Sequence, residues 1–390
     1  MKWERVRLGD VTDSCLGKML DKAKNKGEYQ PYLANVDVRW GSFNLDNLSE
    51  MRFEDNEQER YGLKYGDLVI CEGGEPGRCA IWKDQIPNMK IQKALHRVRV
   101  HDCLDYRFLY YWFLLAGKTG ALEQYFTGAT IKHMPGEKLK SVLIDMPPIE
   151  VQRHIANILW VYDNLIENNQ KQIKLLEEAA QRLYKEWFVD LRFPGHETTP
   201  IVDGVPEGWK EQSLYQIADV VMGQSPKSEY YNQVGEGLPF HQGVGSYGNR
   251  FVSDETYSTS FTRIAEAGSI LFSVRAPVGR LNLTKNKVVI GRGLAAINHR
   301  RGAQSYLFYL LKEKFFRDDI IGNGSIFASI SKEELLNQTF LIPIDSLVGQ
   351  FNGIAGGIDK KIDILSEQIR LLTEARNRLL PKLMSGEIEV

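Results

Sequence analysis

Basic and amide side chains in short polar turns are the residues of this sequence best suited to chemistry with a ligand. The lysine-rich segment 18–27 is predicted to be a flexible loop whose ammonium groups can contact phosphates, although a merely solvated loop explains it equally well. Arginine and glutamine can each form two hydrogen bonds to the edge of a guanine or an adenine. The predicted ligand-contacting residues are Lys18, Lys22, Arg78, Gln92, Lys93, Lys132, Gln224, Gln242, Arg275, Arg280 and Arg292.

The setting of some of these residues strengthens their candidacy. Arg78 and Arg280 each follow a glycine, in turns that correspond between the two halves of the chain. Lys93 and Arg292 also occupy matching positions, each just before an apolar segment. The sequence leaves open which residues would contact phosphates and which would contact bases. The candidate base readers are Gln92, Gln242, Arg275 and Arg292.

Motifs for catalysis and for cofactor binding are absent from the sequence. Gly117-Lys118-Thr119 resembles the end of a phosphate-binding loop, but Trp112 stands where the first glycine of that motif belongs. The segment 145–148 lacks the aromatic residue of an amino-methyltransferase motif, and no zinc-protease or serine-hydrolase motif occurs. The four cysteines lack the paired spacing of zinc ligands. The sequence therefore predicts a binding protein without catalytic residues, metal or cofactor.

Composition and charge limit the class of protein. The 390 residues are 43% hydrophobic and 25% charged, which is typical of a globular protein with two or three domains. No apolar run could span a bilayer, and the N-terminus has no signal-peptide character, so we expect a cytoplasmic protein with reduced cysteines and no membrane association. The net charge of −1 does not indicate a strongly basic nucleic-acid-binding domain, but basic residues can cluster on one face.

Two long helices are predicted to position the turns. Alternating steps of four and three residues from Ile155 to Trp187 follow an apolar seam that only Asn169 interrupts. The same steps give a second seam from Phe351 to Leu379. Since neither helix could bury itself in one small core, we expect the two to pack together as an antiparallel coiled coil, with Asn169 fixing the register.

The sequence also contains an internal repeat. Short motifs of the first half recur in the same order in the second half, from Trp3 and Trp209 to Pro147 and Pro343, and a long helix follows each set. Two copies of a globe and a helix would form an intramolecular pseudo-dimer, which suits duplex DNA because its strands are related by twofold symmetry. The predicted parts are a first globe at 1–148, a first long helix at 149–189, a connector at 190–205, a second globe at 206–346, and a second long helix with the C-terminal tail at 347–390.

Each globe is predicted to combine strands and helices. Short β-branched runs bounded by turn residues favour strands, and one aromatic-rich run in each globe favours a core helix. The predicted fold class is therefore α+β, with two mixed α/β domains separated by two long helices and related by a pseudo-twofold repeat. The predicted strands include 67–72, 96–101, 141–146, 269–274, 287–291 and 339–344, and the predicted core helices are 105–117 and 304–316.

Three further sequence features complete the pattern. The first long helix ends in KEWFVDLRFPGHE, GVPEGW follows it, and the C-terminus reads EARNRLLPKLMSGEIEV. Together with two divergent globes that alternate with two similar helices, these features resemble the DNA-specificity subunit of Type I restriction-modification systems. The resemblance spans essentially the whole chain, and it is specific in the helices and the connector.

The resemblance implies a function and a set of partners. Each globe would be a target recognition domain that reads one half of a bipartite asymmetric site in double-stranded DNA, with the helices fixing the gap. The helices would dock two modification subunits, which carry S-adenosylmethionine and methylate adenine. Restriction subunits with translocase and nuclease activity would complete the complex, and none of these activities would reside in this chain. Two alternatives are a scaffold with peptide-binding globes and the recognition half of a methyltransferase.

Overall fold

Residues 3–21, 25–315 and 329–390 are described by the computed structural model, in which the chain divides into two units. Unit 1 comprises Met1–Asn169 and Gln368–Val390, and unit 2 comprises Gln170–Glu367. Unit 2 is therefore one continuous stretch of chain, whereas unit 1 includes the C-terminal residues. Each unit contains one globe and part of both long helices.

Short strands form the framework of unit 1. They are β1 (Glu4–Arg7), β2 (Thr12–Leu16), β3 (Glu28–Leu33), β4 (Val38–Arg39), β5 (Ser42–Phe43), β6 (Glu50–Phe53), β7 (Leu68–Cys71), β8 (Cys79–Ile81), β9 (Lys90–Ile91), β10 (Leu95–Val100) and β11 (Leu143–Met146). One antiparallel sheet has the order β2-β10-β7-β8, and a second has the order β6-β3-β9. β3 and β9 are parallel, and β1 pairs antiparallel with β11. The strands predicted at 67–72, 96–101 and 141–146 are confirmed as β7, β10 and β11.

The aromatic helix of unit 1 forms much of its core. This helix, Tyr106–Thr119, confirms the one predicted at 105–117. The Asp105 carboxylate accepts hydrogen bonds from two backbone N–H groups of the first turn, and the helix ends at Gly120 in the left-handed conformation. The shorter helices of this globe are Gln58–Tyr61 and Gly136–Lys140. The buried residues of the aromatic helix are Phe108, Leu109, Tyr110, Tyr111, Phe113, Leu114 and Ala116.

The main sheet of unit 2 has the same strand order as the main sheet of unit 1. The strands of unit 2 are β12 (Ile201–Val202), β13 (Val205–Pro206), β14 (Lys210–Ser213), β15 (Ala218–Met222), β16 (Tyr231–Asn232), β17 (Leu238–His241), β18 (Tyr257–Ser258), β19 (Ile264–Ala265), β20 (Ile270–Ser273), β21 (Leu281–Leu283), β22 (Val288–Ile290), β23 (Leu294–His299) and β24 (Thr339–Ile342). The main sheet is β15-β23-β20-β21, the second is β16-β18-β17-β22-β19, and β14 pairs with β24. The predicted strands 269–274, 287–291 and 339–344 are confirmed as β20, β22 and β24.

A second aromatic helix, Gln304–Phe315, packs into the core of unit 2 and confirms the prediction at 304–316. Its first backbone N–H groups, from Ser305 and Tyr306, donate to Asn352 Oδ1 at 3.1 and 3.2 Å. A residue of the second long helix thus caps this aromatic helix. The other helices are Leu214–Ile217 and Lys332–Leu336.

The long helices extend over Ile149–Tyr184, with a following π-helical turn at Lys185–Val189, and over Asp345–Met384. None of the predicted seam positions along either helix is exposed. The connector after the first helix carries a short 3₁₀ turn, His196–Thr198, and the hairpin of β12 and β13. Within the described part of the chain, no helix is both long enough and apolar enough to cross a membrane.

The seam is closed by different contacts in each unit. In unit 1 the Asn169 side-chain amide donates to Gln368 Oε1 at 3.2 Å, so the polar residue in the seam has a polar partner on the other helix. In unit 2 the rings of Tyr184 and Phe351 pack edge to face with their centroids 5.6 Å apart. The buried Asn169 therefore favours one register, because sliding the helices would leave its amide without a partner.

A mostly buried arginine–aspartate pair fixes a long helix to its surroundings in each unit. In unit 1 the Arg376 guanidinium pairs with Asp163, and the Tyr111 hydroxyl donates to the same carboxylate at 2.7 Å. In unit 2 Arg250, which belongs to the globe, pairs with Asp359 of the second long helix. Tyr111 in unit 1 and Arg250 in unit 2 thus bind each globe to one turn of a long helix.

Candidate nucleic-acid interface

Loops at one end of the main sheet of unit 1 are tied together by backbone hydrogen bonds. The amide of Gly17 donates to the carbonyl of Leu95 at 2.9 Å, and the amide of Glu72 donates to the carbonyl of Ala94 at 2.9 Å. The amide of Met134 donates back to the carbonyl of Glu72 at 2.7 Å. We call these joined loops, residues 17–21, 72–78, 91–94 and 127–134, loop cluster 1. The predicted contact residues in this cluster are Lys18, Arg78, Gln92, Lys93 and Lys132.

Lys18 is buried, and its ammonium group contacts the protein. Its Nζ donates to the carbonyl of Arg52 at 2.9 Å and pairs with the Glu57 carboxylate at 2.5 Å. The same nitrogen lies 5.1 Å from the centre of the Phe53 ring. Because a carboxylate already balances this charge, Lys18 fixes the start of loop cluster 1 against neighbouring chain.

Arg78 forms hydrogen bonds to its own loop and to Asn35, which lies outside that loop. Its guanidinium donates to the carbonyl oxygen and to Oδ1 of Asn35, at 3.1 and 3.2 Å, and to Glu75 at 3.1 Å. The Asn35 amide donates in turn to the carbonyl of Gly73 at 2.9 Å. Trp40 Nε1 donates to the other oxygen of Glu75 at 2.6 Å. The sequence reasoning missed Asn35, which joins the loop 72–78 to the residues after β3.

The other predicted residues of unit 1 are more accessible. Lys93 is exposed at the tip of the 91–94 turn, and Gln92 beside it is half-buried. Lys132 is exposed, with Nζ 3.7 Å from Glu123. Such an exposed ion pair is weak, so a phosphate could displace the carboxylate. Lys22 lies outside the described residues.

Replacing Arg78 by alanine is expected to loosen the loop 72–78. The change removes the charge-assisted hydrogen bonds to the half-buried Asn35 and the exposed Glu75, which costs about 1–3 kcal/mol. Hydrogen exchange of the amides in 72–78 measures this local opening. The control is Lys93→Ala on the exposed neighbouring turn, where we expect a change within about 0.5 kcal/mol. Equal protection in the two variants would show that Arg78 does not hold the loop.

Unit 2 repeats the same backbone pattern with different residues. Gly223 donates to the carbonyl of Leu294, Val274 donates to that of Gly293, and Ile330 donates to that of Val274, each at 2.9 Å. These are the counterparts of the three hydrogen bonds in loop cluster 1. We call residues 223–225, 241–246, 274–280, 291–293 and 329–330 loop cluster 2. The predicted contact residues in this cluster are Gln224, Gln242, Arg275, Arg280 and Arg292.

Three of these residues line one small cleft. Gln242, Arg275 and Arg292 are exposed and surround a cavity of about 190 Å³, together with backbone of neighbouring turns. Gln224 is exposed on the adjoining turn. Arg280 is half-buried and lines a separate cavity of about 450 Å³. The structure therefore brings Gln242, Arg275 and Arg292 together and places Arg280 apart from them.

A buried histidine holds the Gln242 turn. His241 Nδ1 lies 2.9 Å from Ser246 Oγ, and Nε2 lies 3.1 Å from Asp254 Oδ1. Although these residue types occur in hydrolases, the His241 side chain has no exposed surface for a substrate to reach. The network therefore positions the loop. Sequence reasoning missed it, and the only signal was a histidine at the end of an apolar strand.

Burial shifts the pKa of two ionisable groups beneath the loops toward the neutral form. Burial lowers the pKa of His96, whose Nε2 lies 3.0 Å from the carbonyl oxygen of Met134. In unit 2, burial raises the pKa of Tyr247, whose hydroxyl donates to the carbonyl of Leu271 at 2.9 Å. Neither group adds charge to the loops at neutral pH. Among residues 3–21, 25–315 and 329–390, no histidine, cysteine and carboxylate cluster could hold a metal ion.

The chain is similar to proteins of one family. Residues 1–178 and 206–376 match the family model described as Type I restriction modification DNA specificity domain. Over 341 residues the chain is 27% identical to the type I restriction enzyme MjaIX specificity subunit of Methanocaldococcus jannaschii, covering 83% of this chain and 78% of that protein. It is 24% identical to the MjaVIII specificity subunit of the same organism, over 100% of this chain and 93% of the relative.

Two further comparisons show how much of a relative this chain spans and which known fold it shares. A 34% identical match to another Methanocaldococcus jannaschii protein covers 65% of this chain but 61% of the length of that relative. The crystal structure of a type I restriction-modification S subunit from M. genitalium is 18% identical, with a TM-score of 0.60, covering 98% of this chain and 96% of the other. At this identity the structural likeness speaks for the fold alone.

Proposed function

Because this chain belongs to the family of DNA-specificity subunits of Type I restriction-modification systems, we propose that it reads a bipartite, asymmetric DNA site, with one unit for each half-site. Loop cluster 1 contacts one half-site and loop cluster 2 contacts the other, in the major groove. The observation that carries this proposal is that the two clusters share their backbone hydrogen bonds while their exposed side chains differ. A shared frame with different side chains suits two different half-sites.

We propose that the frame arose by tandem duplication and that the long helices act as a spacer. In this proposal they pack as an antiparallel coiled coil and relate the two globes by a pseudo-twofold axis. The matching strand orders, the covered seam and the bond between Asn169 and Gln368 support it. The proposed parts are target recognition domains at 1–148 and 206–346, long helices at 149–189 and 347–390, and a connector at 190–205.

The outer faces of the helices are proposed to dock two modification subunits. Large apolar side chains remain exposed there, on helices whose seams are already covered. Such exposed apolar side chains indicate association with a further partner. The modification subunits would bind S-adenosylmethionine and methylate adenine, and restriction subunits would add ATP-driven translocation and cleavage. The exposed residues include Ile158, Val161, Leu165, Leu175, Ile354, Ile364 and Leu371.

The chain itself is proposed to have no catalytic role and no cofactor, and to act in the cytoplasm. Its net charge of −1 fits a subunit that shares phosphate contacts with its partners. The exposed basic residues of the two loop clusters would then serve mainly to select sequence.

Selection from a random duplex library tests the proposed function. The chain is mixed with its modification subunits, and bound duplexes are recovered and sequenced. We expect two short specific segments separated by a fixed gap. The paired substitutions Lys93→Glu and Arg292→Glu should weaken binding, because they place negative charge against DNA. Modification subunits alone are the control, and a complex that retains no sequence preference would contradict the proposal.

A further inference from the structure

The cleft of loop cluster 2 presents two exposed arginine side chains, Arg275 and Arg292. The guanidinium groups of Arg275 and Arg292 are exposed and form no hydrogen bond or ion pair with any residue in 3–21, 25–315 or 329–390. No carboxylate lines the cleft in that described part of the chain. Their charge and their donors are therefore available to a ligand. Arg78, by contrast, donates from both terminal guanidinium nitrogens to Glu75 and Asn35.

The backbone beneath these two side chains is well anchored. The amide of Arg292 donates to Ser225 Oγ at 3.3 Å, and the amide of Gly293 donates to the carbonyl of Gln242 at 3.1 Å. A Cβ atom at Gly293 would lie 2.4 Å from that carbonyl oxygen, so only glycine permits this approach. Arg275 is held by a β-bridge to Ser329. Fixed Cα positions with exposed guanidinium groups suit recognition of a rigid ligand.

The equivalent positions of unit 1 carry different chemistry. The shared hydrogen bonds make Glu72 the counterpart of Val274, so Gly73 corresponds to Arg275. They likewise align Lys93 with Arg292. A lysine is a compact charge with rotating donors, whereas a guanidinium is a planar fork that fits two acceptors at once. Loop cluster 1 therefore has no guanidinium group at either of these two positions.

Guanine is the base whose major-groove edge fits this fork. Its O6 and N7 atoms are two adjacent acceptors, and an arginine can donate to both. We propose that the half-site read by unit 2 contains guanine recognised by Arg275 and Arg292, and that the half-site read by unit 1 is recognised without such arginine contacts. This inference rests on the proposed function, and it sorts these two residues from the phosphate-contacting candidates.

Conservative variants in the assembled complex test the inference. Arg275→Lys and Arg292→Lys keep the charge but lose the fork, so binding should keep its dependence on salt. Because a lysine can still donate to guanine, we expect the lysine variants to weaken the preference for guanine at one position of one half-site. Arg275→Ala and Arg292→Ala should each lose that preference, by about 5- to 150-fold. The other half-site should be unchanged and serves as an internal control. Arg301→Lys, at an exposed arginine that pairs with Asp345 outside the cleft, is the matched control and should leave both half-sites unchanged.

The outcomes separate this inference from the proposed function. If the unmodified complex selects a bipartite site but neither half contains guanine, the inference is overturned and the function stands. The same holds if Arg275→Ala and Arg292→Ala both keep the guanine preference of the unmodified complex. If the unmodified complex selects no bipartite site at all, the proposed function itself fails.

Discussion

Inserting seven residues after Asn169 and seven after Glu367 is expected to lengthen the gap between the two half-sites by about three base pairs. These points lie next to the bonded pair Asn169 and Gln368, where the chain passes between unit 1 and unit 2. Seven residues add about 10 Å to a helix and turn it by nearly two full turns, so the apolar seam stays aligned to within about 20°. A heptad in both helices therefore preserves the packing of each unit while it lengthens the proposed spacer.

The measurement is selection from a library in which the gap varies between constant half-sites. The original gap should be lost, because the half-sites would no longer meet both loop clusters. The matched control is a seven-residue insertion after Asp203 in the connector, where Gly204 has open space around it. That variant should keep the original gap. A doubly lengthened helix pair that still selects the original gap would exclude the helices as the spacer.

Replacing Arg250 by alanine is expected to destabilise unit 2 by about 3 kcal/mol. The Arg250 side chain is 3% exposed, pairs with Asp359 and lies 3.9 Å from Glu177. Its guanidinium also stacks 3.8 Å from the centre of the Phe308 ring. Removing one partner of a buried pair leaves the other charge uncompensated, which costs about 3–5 kcal/mol. We expect the lower end of that range because Asp359 keeps 18% of its side-chain surface exposed.

Chemical unfolding, followed by hydrogen exchange in each unit separately, measures this effect. The loss should appear in unit 2 and not in unit 1. Arg301→Ala is the matched control, since Arg301 forms an exposed pair with Asp345 and should contribute at most about 1 kcal/mol. If Arg250→Ala and Arg301→Ala destabilise unit 2 equally, the buried pair does not anchor the globe to the helix.

Regular structure could be predicted from local patterns. The strands β7, β10 and β20 and the two aromatic helices follow from short β-branched runs and aromatic-rich segments, which depend only on neighbouring residues. The seam could be predicted for the same reason, because a periodicity of four and three residues is visible in the sequence. The boundary between unit 1 and unit 2 falls inside each long helix, and no local sequence pattern marks it.

The roles of single polar side chains depend on partners that are distant in sequence. Lys18 looks like a loop cation, but its partner Glu57 lies 39 residues away and draws it into the interior. Arg78 and Arg280 follow equivalent glycines, yet Arg78 bonds to Asn35, 43 residues earlier. Residue type and spacing therefore predicted which loops carry basic groups. They could not predict which of those basic groups would bond to other residues of the protein.

The discontinuity of unit 1 has a consequence for synthesis on the ribosome. The core of this unit includes Leu380 and Leu383, and its buried ion pair needs Arg376. These residues are translated after every residue of unit 2. The half that is made first therefore keeps an open apolar surface until the end of the second long helix has been made.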